Sequence, residues 1–291
     1  MLHSQNLLKG ALLIVASETM FASMGATVKA LAELGFANDM SVFMRNALGF
    51  FIVLPLLLQH GGVQNFKTQV WPLHLLRTVV GLGAMYCFFY TLAHLNLANG
   101  MLLKMTAPIF MPSLAYLWLH ERAPRLALLA VPVGFSGVIL IIEPGSAWSW
   151  TAAIGLLGGV LAAIAQVSLR KLSRTEPTTR IVLYFSMQSA LISAIPLLWH
   201  WQTPTWLQWQ LVLLLSLFGT LGQLLLTRGY ASAPAAQVGP FTYFSVIFGA
   251  AYGYGLWGET LNWSFVGGAL LIALAGILAL QRARLRAPLA E

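Results

Sequence analysis

Residues 92–121, LAHLNLANGMLLKMTAPIFMPSLAYLWLHE, repeat their pattern 138 positions later, at 230–259, as YASAPAAQVGPFTYFSVIFGAAYGYGLWGE. In this register Ala98 falls on Ala236, Asn99 on Gln237, Tyr116 on Tyr254 and Glu121 on Glu259. Upstream, Gly81 falls on Gly219. Downstream, after a one-residue gap, Gly137-Val-Ile-Leu meets Gly276-Ile-Leu-Ala. Each copy carries an apolar run of the length that crosses a bilayer, about 20 residues. The chain reads as a duplicated membrane unit.

Composition agrees. Of 291 residues 58% are hydrophobic and 8% charged, against about 25% charged in a soluble domain. So few charges cannot cover a water-soluble globule, and lipid must face much of the surface. The sixteen Lys and Arg against eight Asp and Glu stand in short loops between apolar runs rather than on one face, so nucleic acid is not an expected partner. Cys87 stands alone, which excludes an internal disulfide. The N-terminal stretch with His3 and Lys9 resembles the start of a signal peptide, but its apolar run continues to Leu31 without a convincing cleavage site, and it reads as the first span.

Apolar runs place spans at 8–31, 39–58, 74–94, 98–119, 125–142, 151–171, 180–199, 208–229, 235–257 and 263–281. With the N-terminus inside, Lys9, Lys67, Arg77, Arg122, Arg125, Arg170, Lys171, Arg174, Arg180, Arg228, Arg282, Arg284 and Arg286 all fall in inner loops or at inner helix ends. The outer side holds at most Lys29. Positive residues collect on the cytoplasmic side, so both termini are expected in the cytoplasm and the chain in the cytoplasmic membrane. Trp148, Trp150, Trp199, Trp201, Trp206, Trp209, Trp257 and Trp263 form the matching outer aromatic belt. Five spans per unit is an odd number, so the second unit enters the membrane upside down, as in many secondary transporters. The expected fold is all-α, ten transmembrane helices as two inverted five-helix repeats, 1–146 and 147–291.

Arg45 early in the second span, Gly81 in the third, the block Tyr90-Thr-Leu-Ala-His-Leu-Asn-Leu-Ala-Asn, Pro108-Ile-Phe, Glu121 and Gly137-Val-Ile-Leu, with a second copy ending at Gly258-Glu259, form an ordered set. In that order and spacing the chain resembles, over nearly its whole length, the EamA-type members of the drug/metabolite transporter superfamily. The resemblance implies a central cavity between the halves and transport without a nucleotide cofactor. It also implies a metabolite substrate: many bacterial relatives export amino acids and related compounds, and distant ones exchange sugar nucleotides or phosphorylated sugars.

No Gly-x-x-x-x-Gly-Lys-Ser/Thr run is present, so ATP is not expected to drive the cycle. No His/Cys cluster has metal-ligand spacing, and no nucleophile–base pair suggests an enzyme; neither cofactor nor metal is expected. What remains are charges inside spans, which are costly there and tend to face a cavity or a partner. Arg45 and Lys104 each lie six residues into a span, ~9 Å below the outer surface at ~1.5 Å per residue. Glu18 lies near the middle of the first span at a similar depth. The three would converge on one cavity. There Arg45 and Lys104 attract a carboxylate or phosphate, and Glu18 holds an amine, a cation or a coupling proton; alternatively they form a buried network that fixes packing. The position that matches Lys104 in the second half is the uncharged Thr242. Tyr86, Tyr90, Gln166, Gln188, Gln223, Thr242 and Tyr243 are polar candidates for the cavity wall, and the resemblance places Gln223 and Tyr243 on helices around it. Pro108 and Pro240 are candidate hinges; Lys29 reads as a charge reaching the interface. The function expected is export of an amino acid or similar carboxylate-bearing metabolite by alternating access. The alternatives are uptake or exchange of an organic anion, a membrane-embedded enzyme or lipid-handling protein, and a channel.

Overall fold

The computed structural model describes residues 6–59, 66–94, 97–121, 125–142, 150–258 and 263–281. Glu259, Arg122, Arg282, Arg284, Arg286 and Trp148 lie outside them. Among the described residues everything regular is helical. In the first half α1 is Leu7–Glu33, α2 Asn38–Gln59, α3 Trp71–His94, α4 Leu97–Lys104, α5 Ala107–Leu119 and α6 Arg125–Ile142. In the second α7 is Trp150–Leu172, α8 Thr178–His200, α9 Trp206–Ser232, α10 Ala235–Val238, α11 Phe244–Trp257 and α12 Trp263–Gln281. A 3-10 turn, Gly239–Tyr243, joins α10 to α11. Six of these helices are long and apolar enough to cross a membrane as single rods.

The ten spans read from the sequence are all present, and the structure corrects two of them. The fourth is α4 and α5, broken at Met105–Thr106, and the ninth is α10, the 3-10 turn and α11. The breaks match under the repeat, Met105 falling on Tyr243 and Thr106 on Phe244. Neither proline kinks a continuous helix. Pro108 stands in the first turn of α5 and Pro240 at the start of the 3-10 turn, where a missing N–H leaves no intrahelical bond unmade. The sequence showed two unbroken apolar runs, because a backbone break needs no polar residue when neighbouring helices surround it.

The halves interdigitate. α1 packs on α9, α2 on α8, α3 on α7 and α6 on α12, so the interface between the repeats is also the core. α7 lies close against the break in α4–α5: a side chain at Gly159 would collide with the Thr106 hydroxyl, and one at Gly155 with Leu103. Small residues permit such close approach between membrane helices.

Two sets of polar contacts tie helices together at the two ends of the bundle. On the arginine-rich face the Asn6 N–H donates to the Ser232 carbonyl at 3.0 Å, and the Thr68 hydroxyl donates to Glu176 Oε1 at 2.8 Å. The Tyr184 hydroxyl donates to the Phe66 carbonyl at 2.7 Å. Arg170 and Arg174 grip Glu121 at 3.0 and 2.7 Å, which ties the end of the fourth span to the sixth. On the opposite face Trp257 Nε1 donates to Glu33 Oε1 at 2.8 Å, Lys29 lies 4.6 Å over the Trp257 ring, and Gln208 donates to the Leu34 carbonyl. Trp150, Trp199, Trp206 and Trp263 are well exposed there.

Candidate functional site

A cavity of about 110 Å³ opens between the repeats. Its charged wall is Glu18 of α1, Arg45 of α2, Arg77 of α3 and Lys104 at the last residue of α4; Gln166 of α7, Phe185 of α8 and Gln223 of α9 face it from the second half. Every helix that supplies a charge packs against the other repeat, and the break in the fourth span sets Lys104 at the cavity edge.

Glu18 and Lys104 meet. Lys104 Nζ donates to Glu18 Oε2 at 2.8 Å, with the Phe21 and Phe88 rings 4.8 and 5.5 Å from the ammonium. Glu18 is 1% exposed, and its second oxygen, Oε1, has no partner among the described residues. The ammonium read from the sequence as an anion receptor is therefore already held by a carboxylate.

Arg45 is different. Its Nη1 donates to Asn46 Oδ1 at 2.7 Å and its Nη2 to the Gly219 carbonyl at 2.8 Å. No carboxylate among the described residues pairs with it. Its guanidinium centre lies 5.6 Å from the Phe185 ring. One backbone carbonyl and one amide neutralise nothing, so Arg45 keeps its charge inside the bundle.

Arg77 is the residue that the sequence reading misplaced. Three residues into the span at 74–94, it reads as an inner-end cation, but it turns into the cavity, 5% exposed, 4.3 Å from the Phe185 ring. A long side chain carries its charge several ångströms from its backbone, so position in a span does not fix the depth of the head group. One signal was available: Gly81 follows it by one helical turn on the same face, and a side chain at Gly81 would run into Arg77 Nη1.

The remaining candidates divide. Gln166 and Gln223 line the cavity; Gln166 Oε1 accepts from the Tyr230 hydroxyl at 2.6 Å, whereas Gln223 Nε2 has no acceptor among the described residues. Gln188 accepts from Thr78 at 2.6 Å and ties α3 to α8. Thr242 donates to the Gly239 carbonyl within its own turn. Tyr243 is fully buried against α6, its hydroxyl donating to the Val131 carbonyl at 3.1 Å. Tyr90 stacks on His94 at 4.1 Å, and the Tyr86 hydroxyl has no partner among the described residues. None of these last five is part of the cavity wall. Among the described residues no three His, Cys, Asp or Glu side chains gather as a metal site.

Inverted halves with discontinuous helices at matching positions, meeting around a charged cavity, are a construction of membrane transporters for small solutes. The chain belongs to the EamA-like transporter family, whose sequence profile matches residues 8–143 and again 149–281. It is similar to the pseudopaline exporter CntI of Pseudomonas aeruginosa, 35% identical over 94% of this chain and 96% of that one. The riboflavin transporter of Vibrio cholerae is 26% identical over 92% of this chain and 91% of its own. An S-adenosylmethionine uptake transporter of Rickettsia bellii is 22% identical over 79% of each. A solved crystal structure superposes with a TM-score of 0.77 at 14% identity, covering 96% of this chain and 97% of that chain, which shows the shared fold. The chain is thus a multi-pass membrane transporter and not an enzyme.

Proposed function

We propose that this protein is a secondary active transporter that exports an amino acid or similar small carboxylate-bearing metabolite, its two repeats (1–146 and 147–291) rocking about the cavity between them. The observation that carries the reading is the charge balance of the cavity wall. Glu18 answers Lys104, while Arg45 and Arg77 have no carboxylate beside them among the described residues. A cavity with surplus positive charge draws an anionic group. Similarity to an exporter over most of the chain favours the outward direction. The same charge balance would serve uptake or exchange of an organic anion, and a more distant relative is an uptake transporter.

The segregation of Lys and Arg supports a cytoplasmic-membrane protein with both termini in the cytoplasm. Lys9, Lys67, Arg125, Lys171, Arg174, Arg180 and Arg228 share the face that bears Asn6. Single cysteines introduced in a Cys87→Ala background and labelled from each side test this; labelling of the Lys171 loop from the periplasm sinks the orientation.

The transport reading is tested in proteoliposomes that contain only this protein, loaded with a mixed metabolite pool, with efflux identified by mass spectrometry. Efflux of carboxylate-bearing metabolites down a substrate or proton gradient, without nucleotide, is expected. Strict dependence on ATP, or no flux under any gradient in either direction, would overturn it.

A further inference from the structure

Four buried donor atoms around this cavity have no acceptor among the described residues: Arg45 Nε, Arg77 Nε, Arg77 Nη1 and Gln223 Nε2. They come from α2, α3 and α9, and all belong to residues of one cavity wall. Structural duty explains Arg45 in part, through its bonds to Asn46 and Gly219. It does not explain Arg77. Arg77 meets the face of Phe185 at 4.3 Å, and a cation–π contact offsets only part of what burying an unpaired ion costs.

Both guanidiniums are within cation–π range of the same ring, at 4.3 and 5.6 Å. Two like charges gathered on one phenyl ring repel each other unless an anion joins them. The planar fork of arginine fits a carboxylate with two parallel bonds, and the Gln223 amide adds a neutral donor. Elsewhere on the wall the one carboxylate among the described residues, Glu18, is already paired with Lys104.

We infer that Arg77 and Arg45, seated on Phe185 with Gln223 beside them, form an anion-binding pole of the cavity that takes a carboxylate of the ligand. The pole rests on the transporter reading only in making that ligand the transported substrate. Arg77 and Gln223 each present their donors to the ligand, and Arg45 adds the charge that its own fixed bonds leave uncancelled.

The test uses the full chain in lipid nanodiscs, with glutarate as probe and glutaramide, its uncharged analogue, at matched ionic strength. Glutarate is expected to raise the melting temperature and glutaramide to leave it unchanged. Arg77→Gln should abolish the glutarate effect; Arg77→Lys, which keeps the charge but loses the fork, should retain less than half of it. Without probe, Arg77→Gln should melt at or above the wild-type temperature, because an unpaired buried cation is gone; a packing role would lower it. If Arg77→Gln does not insert, the Arg77→Lys comparison decides. Glutarate stabilisation that survives Arg77→Gln, equal stabilisation by glutaramide, stronger stabilisation by inorganic phosphate, or no response in the wild type would each overturn the carboxylate pole. Metabolite efflux that continues undiminished in Arg77→Gln overturns the pole and leaves the transporter standing. Wild-type glutarate binding that needs Arg77, with no flux under any gradient, retains the pole and removes the transport reading.

Discussion

Gly81 and Gly219, one repeat apart, each stand where a side chain would collide with a different buried arginine. A Cβ at Gly81 meets Arg77 Nη1, with Phe185 3.0 Å away; a Cβ at Gly219 meets Arg45 Nε at 2.7 Å. The glycine of each repeat thus leaves room for one guanidinium, although both arginines come from the first half. The consequences differ. Arg77 Nη1 is the free end of a flexible chain and can swing away. Arg45 is pinned by Asn46 and by the carbonyl of Gly219 itself. Gly219→Ala should therefore cost about 1–3 kcal/mol through overpacking, and Gly81→Ala less. Melting curves of the two variants check the order, and equal losses would contradict it.

Much of this architecture was legible in the sequence because hydrophobic length and duplication are both written in residue type. Span ends at 94, 125, 142, 235 and 281 coincide with helix ends. The helix breaks were signalled only by the hinge candidates Pro108 and Pro240, which stand just inside the segments that follow them, because the apolar runs themselves continue through both breaks. In the cavity, Glu18, Arg45, Lys104, Gln166 and Gln223 were readable as polar groups inside spans. Arg77 was not, because proximity to a helix end made it look solvated. Tyr243 and Thr242 show the converse: a polar atom inside a span is as easily satisfied by a nearby carbonyl as by a ligand.

His120 and Gly258 are also one repeat apart, and both end their helices in the left-handed region, at φ 54° and 65°. Glycine adopts that conformation freely, whereas an L side chain there is strained. His120→Gly should stabilise the protein by about 1 kcal/mol, within the cost assigned to left-handed backbone. The side chain is exposed, so little packing is lost. A lowered melting temperature would show that the imidazole holds a stabilising contact.

Glu176 accepts from Thr68 and pairs with Arg180 at 2.7 Å, joining the loop before α3 to the start of α8 on the arginine-rich face. Glu33 and Trp257 join α1 to α11 on the other. Under the proposed rocking of the two repeats, weakening one set should favour opening at that face. Glu176→Ala should speed labelling of a cysteine introduced by Ala165→Cys, which lines the cavity, from the arginine-rich face in a Cys87→Ala background. Glu33→Gln should slow it. Identical rates in all three proteins would mean that these contacts do not govern the opening.

Lys104 and Glu18 provide the sharpest separation of structure from binding. Their bond is 2.8 Å long, the carboxylate is 1% exposed, and Oε1 has no further support among the described residues. Lys104→Met removes the charged donor of the Glu18 carboxylate and leaves the acid without a counter-charge. Breaking a buried pair in this way costs about 3–5 kcal/mol. Glu18→Gln strands the ammonium instead, but Lys104 is the more exposed partner, at 15%, and lies near two aromatic faces. Its loss should therefore be smaller. The double variant replaces both ions with groups that need no counter-charge, and it should melt well above Lys104→Met. Melting temperature and substrate affinity for the two single variants and the double form a complete cycle. Lost stability with rescue in the double variant and unchanged affinity would make the pair structural and leave the anion to Arg45 and Arg77. Lost affinity at unchanged stability would return Lys104 to the binding wall. The geometry favours the first outcome, because an ammonium already bonded to a carboxylate must give up that bond before it can take a substrate anion.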